Sequence, residues 1–254
     1  MLQLKNELKE NLIVVILCAG EGKRLKKLTK DVPKPLLKIK ILNDENILHN
    51  TIYQLVNIGI EQIAIIIGHL GTTIKNYISK LIKKDPSLRN KLTIIDSKNQ
   101  YKLGPLFSFL SITEKKRIYN SNMCYLLIPG DTLFDYNILK EVFFKISDNF
   151  NLIRKSPFLF YRSIGFELLK ELYNRDRIIS NAEVVKIDSE IILKTISQLK
   201  IREISPNQLV NQIIPLIGLS YDSINQILNL NRNYSYKTVW QALNSLILDK
   251  IKIL

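Results

Sequence analysis

The chain has 254 residues, 46% of them hydrophobic and 24% charged, enough for one large core and too apolar for a disordered chain. A net charge of +14 suits anionic partners and equally suits solvated lysine faces, so charge alone selects no function. Two cysteines without CxxC spacing and two histidines, His49 and His69, exclude a disulfide framework and a structural zinc site, and point to reduced thiols in a cytoplasmic protein.

The leading segment is mixed in charge through Glu7 and Glu10, and its apolar stretch is too short for a signal peptide. No apolar run approaches the roughly 18 residues of a transmembrane helix. Four short runs rich in β-branched residues follow: LIVVIL (12–17), IAIIIG (63–68), LTIID (92–96) and CYLLIP (124–129). They read as strands buried on both faces. Helical stripes lie between them, over 47–58 with Gly59 as a stop, over 72–83, and from Pro105 to about Lys116. Asp135 caps a further helix that turns Leu139, Val142 and Phe143 inward. This alternation predicts an α/β, three-layer, Rossmann-like fold with a mostly parallel central sheet.

Beyond residue 150 the pattern loosens. Strands are expected over 158–161, 182–187, 190–196 and 213–221, with an Asp188-Ser189 turn between the second and third. Helices are expected over 166–173, 222–230 and 236–250. No linker or repeat interrupts the chain, which reads as one domain, 1–254, whose second half adds extra strands.

The strongest motif follows the first strand: LCAGEGKRLKKLTKDVPKPLLKI, residues 17–39. Gly20 and Gly22 remove side chains where backbone N–H groups would approach an anion. Arg24 offers a forked guanidinium for phosphate oxygens, and Lys34 is held between Pro33 and Pro35. The second motif is YLLIPGDTLFD (125–135), a buried strand that delivers Asp131 to the same sheet edge. A carboxylate there suits Mg²⁺ shared with triphosphate oxygens.

Together, A-G-x-G-x-R-L, L-T, P-K-P-L-L and the later strand-G-D resemble the signature of the sugar-phosphate nucleotidyltransferases. That family includes glucose-1-phosphate thymidylyltransferases, mannose-1-phosphate guanylyltransferases and phosphocholine cytidylyltransferases. The resemblance is specific over about residues 11–135. It implies a nucleotide-binding half, 11–150, and a sugar-phosphate-binding half, 151–254. It also implies transfer of a nucleoside monophosphate from a triphosphate to a sugar 1-phosphate or similar phosphorylated molecule, with release of pyrophosphate. Arg24, Lys34 and Asp131 then carry catalysis, with Asp131 binding Mg²⁺, while Ala19, Gly20 and Gly22 hold the nucleotide. NQYKLGPLFSFL (99–110) resembles the segment that packs against the base, with Asn99 or Gln100 and Gly104 at the matching positions. Ser108 in that segment reads equally as a residue at the base or as an ordinary exposed hydroxyl.

In the second half, IPLIGLSYDS resembles a later strand carrying a pocket glycine, Gly218, and Lys194 is the loose counterpart of a phosphate-gripping lysine. The family's second metal-binding aspartate has no counterpart: Asp249 reads as a helix-surface residue, and Asp188 is a stand-in candidate. A catalytically impaired regulatory or scaffolding subunit is therefore the alternative. The expected partners are a nucleoside triphosphate and a sugar 1-phosphate. No membrane partner is expected, and nucleic acid is not favoured, since no contiguous lysine face with stacking aromatics is evident. A homo-oligomer is left open.

Overall fold

In the computed structural model, residues 5–165, 167–168, 181–187, 193–200, 205, 207–233, 238–245 and 252–253 are described; within them, the side chains of Arg24, Lys26, Lys27, 181–187, 193–200, 231–233, Trp240 and 252–253 are not. The four apolar runs form β1 (Leu12–Cys18), β2 (Ile63–Ile67), β3 (Leu92–Asp96) and β4 (Cys124–Pro129). All their pairings are parallel, and the registers Cys18↔Ile67, Ile67↔Asp96 and Leu17↔Pro129 bring the four carboxyl ends to one edge.

Further strands extend the sheet: β5 (Phe158–Gly165), β6 (Asn181–Ile187), β7 (Leu193–Lys200), β8 (Leu209–Ser220) and β9 (Lys252–Ile253). The order is β3-β2-β1-β4-β8-β5-β9, with β6 and β7 branching as a hairpin from β8. β8 runs antiparallel to both β4 and β5, so β5 and β9 point the same way as the first four strands. β8 is long enough to pair with β4 through Ile217–Ser220 and with β6 at Gln212, while β5 lies along its other side.

Strand alternation divides the interior into two cores. Leu12, Val14, Ile16 and Cys18 pack with α1 (Asn6–Asn11), α2 (Ile47–Ile58), α3 (Gly71–Lys84), α5 (Tyr136–Asp148) and α6 (Phe150–Ile153). Ile13 and Val15 face the opposite core, built with α4 (Pro105–Leu110), α7 (Tyr221–Asn233) and α8 (Val239–Ser245). Ile65, Ile66 and Leu126 are fully buried, and each such side chain contributes about 1.5–3 kcal/mol of transfer free energy. The layers are therefore those expected, helices on both faces of a mostly parallel sheet.

Local chemistry sets the ends. Asn46 Oδ1 accepts the His49 N–H at 2.8 Å to begin α2, and Gly59, at φ 103°, closes it by donating to Leu55 and Val56. Asp135 accepts from the N–H groups of Asn137 and Ile138 at the start of α5.

Several elements differ from the sequence-based expectation. The helix expected over 105–116 stops at Leu110 and passes into a tighter turn, Ser111–Glu114. There the Ser111 and Thr113 hydroxyls donate to the carbonyls of Ser108 and Leu110, competing with the helix for acceptors. β5 extends past Tyr161 because Arg162 and Ser163, too polar to mark a strand, bond across to Gln212 and Asn211. β7 is described from Leu193 and runs on to Lys200, past the expected end at 196, while residues 190–192 lie outside the described residues; β8 begins four residues earlier than expected. α1 and β9 were not expected. The Asp188-Ser189 turn, Asp249 and most of the helix expected over 166–173 lie outside the described residues, as do the ends of the 236–250 helix.

Candidate functional site

β2 and β3 lie on one side of β1, and β4 lies on the other, so the chain reverses its winding between β1 and β4. In an open α/β sheet the crevice beyond the carboxyl ends at such a point is where ligands bind. A pocket of about 510 Å³ occupies it, lined from the β1 side by Cys18, Ala19, Gly20, Gly22 and Lys23 and from the β4 side by Pro129 and Asp131.

The loop after β1 is built to present backbone. A Cβ on Gly20 would meet no atom within 4 Å, so no protein packing demands glycine there and the open space faces the pocket. Gly22 is left-handed, at φ 64°, and a Cβ there would lie 3.0 Å from Thr29. The buried Thr29 hydroxyl donates to the Gly22 carbonyl at 3.0 Å and pins the turn. Ala19 is anchored through its carbonyl, which accepts the His69 N–H at 3.1 Å. Among the described residues, the N–H groups of Gly20, Glu21 and Gly22 donate to no backbone carbonyl. Three adjacent N–H donors at the mouth of a crevice are suited to phosphate oxygens.

Lys34 and Asp131, separated by 97 positions in sequence, meet across the crevice with Nζ 2.6 Å from Oδ2. Pro33 and the buried Pro35 fix the lysine's backbone. Asp131 reaches the site because Gly130 packs directly on β1. Its N–H donates to Leu17 O at 2.9 Å, and a Cβ there would sit 2.7 Å from that same oxygen. Both charged side chains are about one-third exposed, 32% for Lys34 and 40% for Asp131, so an incoming anion or cation can compete for either. Beneath them the buried Cys18 thiol is pushed far up, first by burial and then by the Asp131 charge.

The far wall is Tyr101, Pro105 and Ser108. Gly68 lets the Tyr101 ring approach Ala19, since a Cβ on Gly68 would stand 2.8 Å from that ring. Ser108 is only 3% exposed, which removes the ordinary exposed hydroxyl from its two readings, and donates to Gly104 O. Asn99 and Gln100 are exposed and do not line the pocket. Gly104, at φ 130°, precedes α4 and sits between the lining residues Tyr101 and Pro105. The aromatic position two residues past Asn99 was visible in the sequence, but nothing there told ring from amide.

Gly218 takes a packing role. Pro215 and Ile217 line the pocket, so alternation turns Gly218 to the opposite face, where a Cβ would overlap the Phe158 ring at 1.8 Å. Arg24 lies in the turn Lys23–Thr29 and Lys194 in β7, but both side chains are outside the described set. No cluster of three or more histidines, cysteines or carboxylates suited to a metal occurs among the described residues. A lone carboxylate still fits Mg²⁺, a hard cation that completes its octahedron with waters and phosphate oxygens. No helix among the described residues is long and apolar enough to cross a membrane.

The Nucleotidyl transferase family profile matches residues 13–153, more than half of the chain. The D-glycero-alpha-D-manno-heptose 1-phosphate guanylyltransferase of Campylobacter jejuni is 32% identical over 126 residues, 50% of each chain. The CTP:phosphoglutamine cytidylyltransferase of the same organism is 41% identical over 66 residues, covering 26% of this chain and 25% of that one. The chain thus spans half the length of the first curated relative and a quarter of the second. UDP-glucose pyrophosphorylase, solved with UDP-glucose, superposes with a TM-score of 0.64 at 15% identity, over 96% of this chain and 90% of that one. CTP:phosphocholine cytidylyltransferase from Streptococcus pneumoniae superposes at 0.60 with 16% identity and the same coverage. A glycine loop whose N–H groups donate to no backbone carbonyl among the described residues, a lysine–aspartate pair across the switch-point crevice and a profile match over both motifs lead to one conclusion: the chain belongs to the nucleotidyl transferase family.

Proposed function

We propose that the chain transfers a nucleoside monophosphate from a nucleoside triphosphate to a phosphorylated small molecule, a sugar 1-phosphate, and releases pyrophosphate. The observation that carries this reading is the Lys34–Asp131 pair, 2.6 Å apart beside the open N–H groups of the glycine loop. A phosphate oxygen of the acceptor attacks the α-phosphorus in line. A new P–O bond forms, the bond to the bridging oxygen of the β-phosphate breaks, and its electron pair leaves on pyrophosphate. The loop N–H groups hold the triphosphate, and Lys34 neutralises charge developing on the α-phosphoryl oxygens. Arg24, from the same loop, completes the cationic set. Asp131 is the residue that would hold Mg²⁺ with the substrate's phosphates, where the ion supplies Lewis-acid charge neutralisation. Reduced, buried thiols are consistent with the cytoplasm as the working compartment.

Among the described residues the pocket is lined by one carboxylate, Asp131, which favours one other reading, a subunit that binds nucleotide without turning it over. Pyrophosphate release, measured with each common nucleoside triphosphate, a panel of sugar 1-phosphates and Mg²⁺, separates the two. Release with one acceptor supports transfer. Nucleotide binding with no release from any acceptor replaces it with the regulatory reading.

A further inference from the structure

We infer that Lys23 is a mobile clamp for the leaving pyrophosphate, held on Glu21 while the pocket is empty and passed to the β- and γ-phosphates when a triphosphate binds. The inference rests on the transferase reading above. A carboxylate between the two glycines of a phosphate loop repels its ligand unless a cation meets the charge. Here the loop supplies that cation itself: Lys23 Nζ lies 2.6 Å from Glu21 Oε2, across the left-handed Gly22.

The two partners differ in freedom. The Glu21 side chain is 28% exposed and that of Lys23 is 84% exposed, so the lysine is the one able to move. Lys23 also lines the crevice, beside Gly20 and Gly22 of the same loop. Lys34, at 32%, is the more enclosed lysine and stands at the α-phosphoryl group in the proposed transfer. An ammonium as exposed as Lys23 stands at the mouth, where the outer two phosphates of a triphosphate emerge. Those phosphates take the electron pair when the bond to the α-phosphorus breaks, so a cation beside them stabilises the leaving group.

The exchange of partners is favourable for both residues. An exposed ion pair is weakly held, whereas an ammonium on a polyphosphate meets several charged oxygens at once. Glu21 keeps other cations when Lys23 moves. Its carboxyl is held below the usual carboxylate range first by the Lys23 hydrogen bond, and the charges of Lys23, His69 and Lys102 add to that. Lys102 Nζ lies 6.0 Å from the centre of the Tyr101 ring, on the same wall. Lys102 therefore stays by Glu21, which recovers Lys23 as pyrophosphate departs.

The test is calorimetry with Mg²⁺ and no acceptor, so that binding is read apart from turnover. The probes are the mono-, di- and triphosphates of one nucleoside, the one whose triphosphate binds best. Lys23→Gln should weaken the triphosphate about tenfold and leave the monophosphate within about twofold. Lys23→Arg, which keeps the charge, should hold the triphosphate within about threefold of the wild type. Glu21→Gln frees the clamp and should tighten the triphosphate about threefold, and by less once Lys23 is already glutamine. Equal weakening of all three nucleotides by Lys23→Gln overturns the inference. A gain from Glu21→Gln that is as large without Lys23 as with it overturns the exchange, because Glu21 then acts through its own charge alone. If the wild type binds the triphosphate and Lys23→Gln binds it as well, the inference fails alone. If the wild type binds no triphosphate, the transferase reading fails with it.

Discussion

At the residue scale, each site position follows from a local requirement. Gly130 is glycine because β1 leaves no room for a Cβ, and that close approach is what carries Asp131 to the crevice. Gly130→Ala should force the β1–β4 edge apart, costing about 1–3 kcal/mol in chemical denaturation and moving Asp131 away from Lys34. A variant of unchanged stability and activity would contradict this. Lys34→Met separates binding from folding. The ion pair is partly exposed and worth about 0–1 kcal/mol to the fold, whereas loss of a charge-assisted phosphate contact should weaken triphosphate binding by about 1.5–3 kcal/mol. Equal losses in melting temperature and affinity would make Lys34 structural. Cys18 lines the pocket yet is 1% exposed, and Cys124, equally buried, is pushed up to about 12. Thiolate is scarce at neutral pH in both, so iodoacetamide should leave the native protein unlabelled and label both cysteines after denaturation. Rapid native labelling would show that the pocket floor opens.

At the element scale, strands buried on both faces were the easiest to read, because continuous β-branched runs leave one interpretation: β3 and β4 match the sequence reading residue for residue, and β1 and β2 differ by one residue. Elements mixing polar and apolar positions were harder. β5 hid its second half behind Arg162 and Ser163, and α4 was cut short by hydroxyls that the periodic pattern ignores. The same holds at the site. Gly20, Gly22, Lys34 and Asp131 were legible as motifs, whereas Tyr101, Ser108, Pro215 and Ile217 reach the pocket only through tertiary packing. Gly218 shows the reverse, a motif-like glycine explained by the ring opposite it. The turn Lys23–Thr29 depends on Thr29, so Thr29→Val, which keeps shape and deletes the hydroxyl, should loosen the glycine loop. We expect nucleotide affinity to fall about tenfold, with a stability loss of about 1 kcal/mol. An unaltered affinity would show that the loop holds its shape without that bond.

At the scale of the whole molecule, one sheet brings residues from both halves of the chain to a single edge: the β1 loop, Asp131 after β4, and Pro215 and Ile217 of β8. The net charge of +14 adds a long-range attraction for polyanionic nucleotides, so association should slow as salt rises beyond the range of screening. On the proposed function, Lys34 and Asp131 bound one site for phosphoryl chemistry. Its most direct test is pyrophosphate release with Mg²⁺, triphosphate and the preferred acceptor, compared between the wild type and Asp131→Asn. The substitution keeps the shape of the side chain and removes the charge that a cation shared with phosphate requires. The wild type should release pyrophosphate, and the variant should lose at least about a hundredfold with its fold intact. Equal rates in the two proteins would contradict the proposed function.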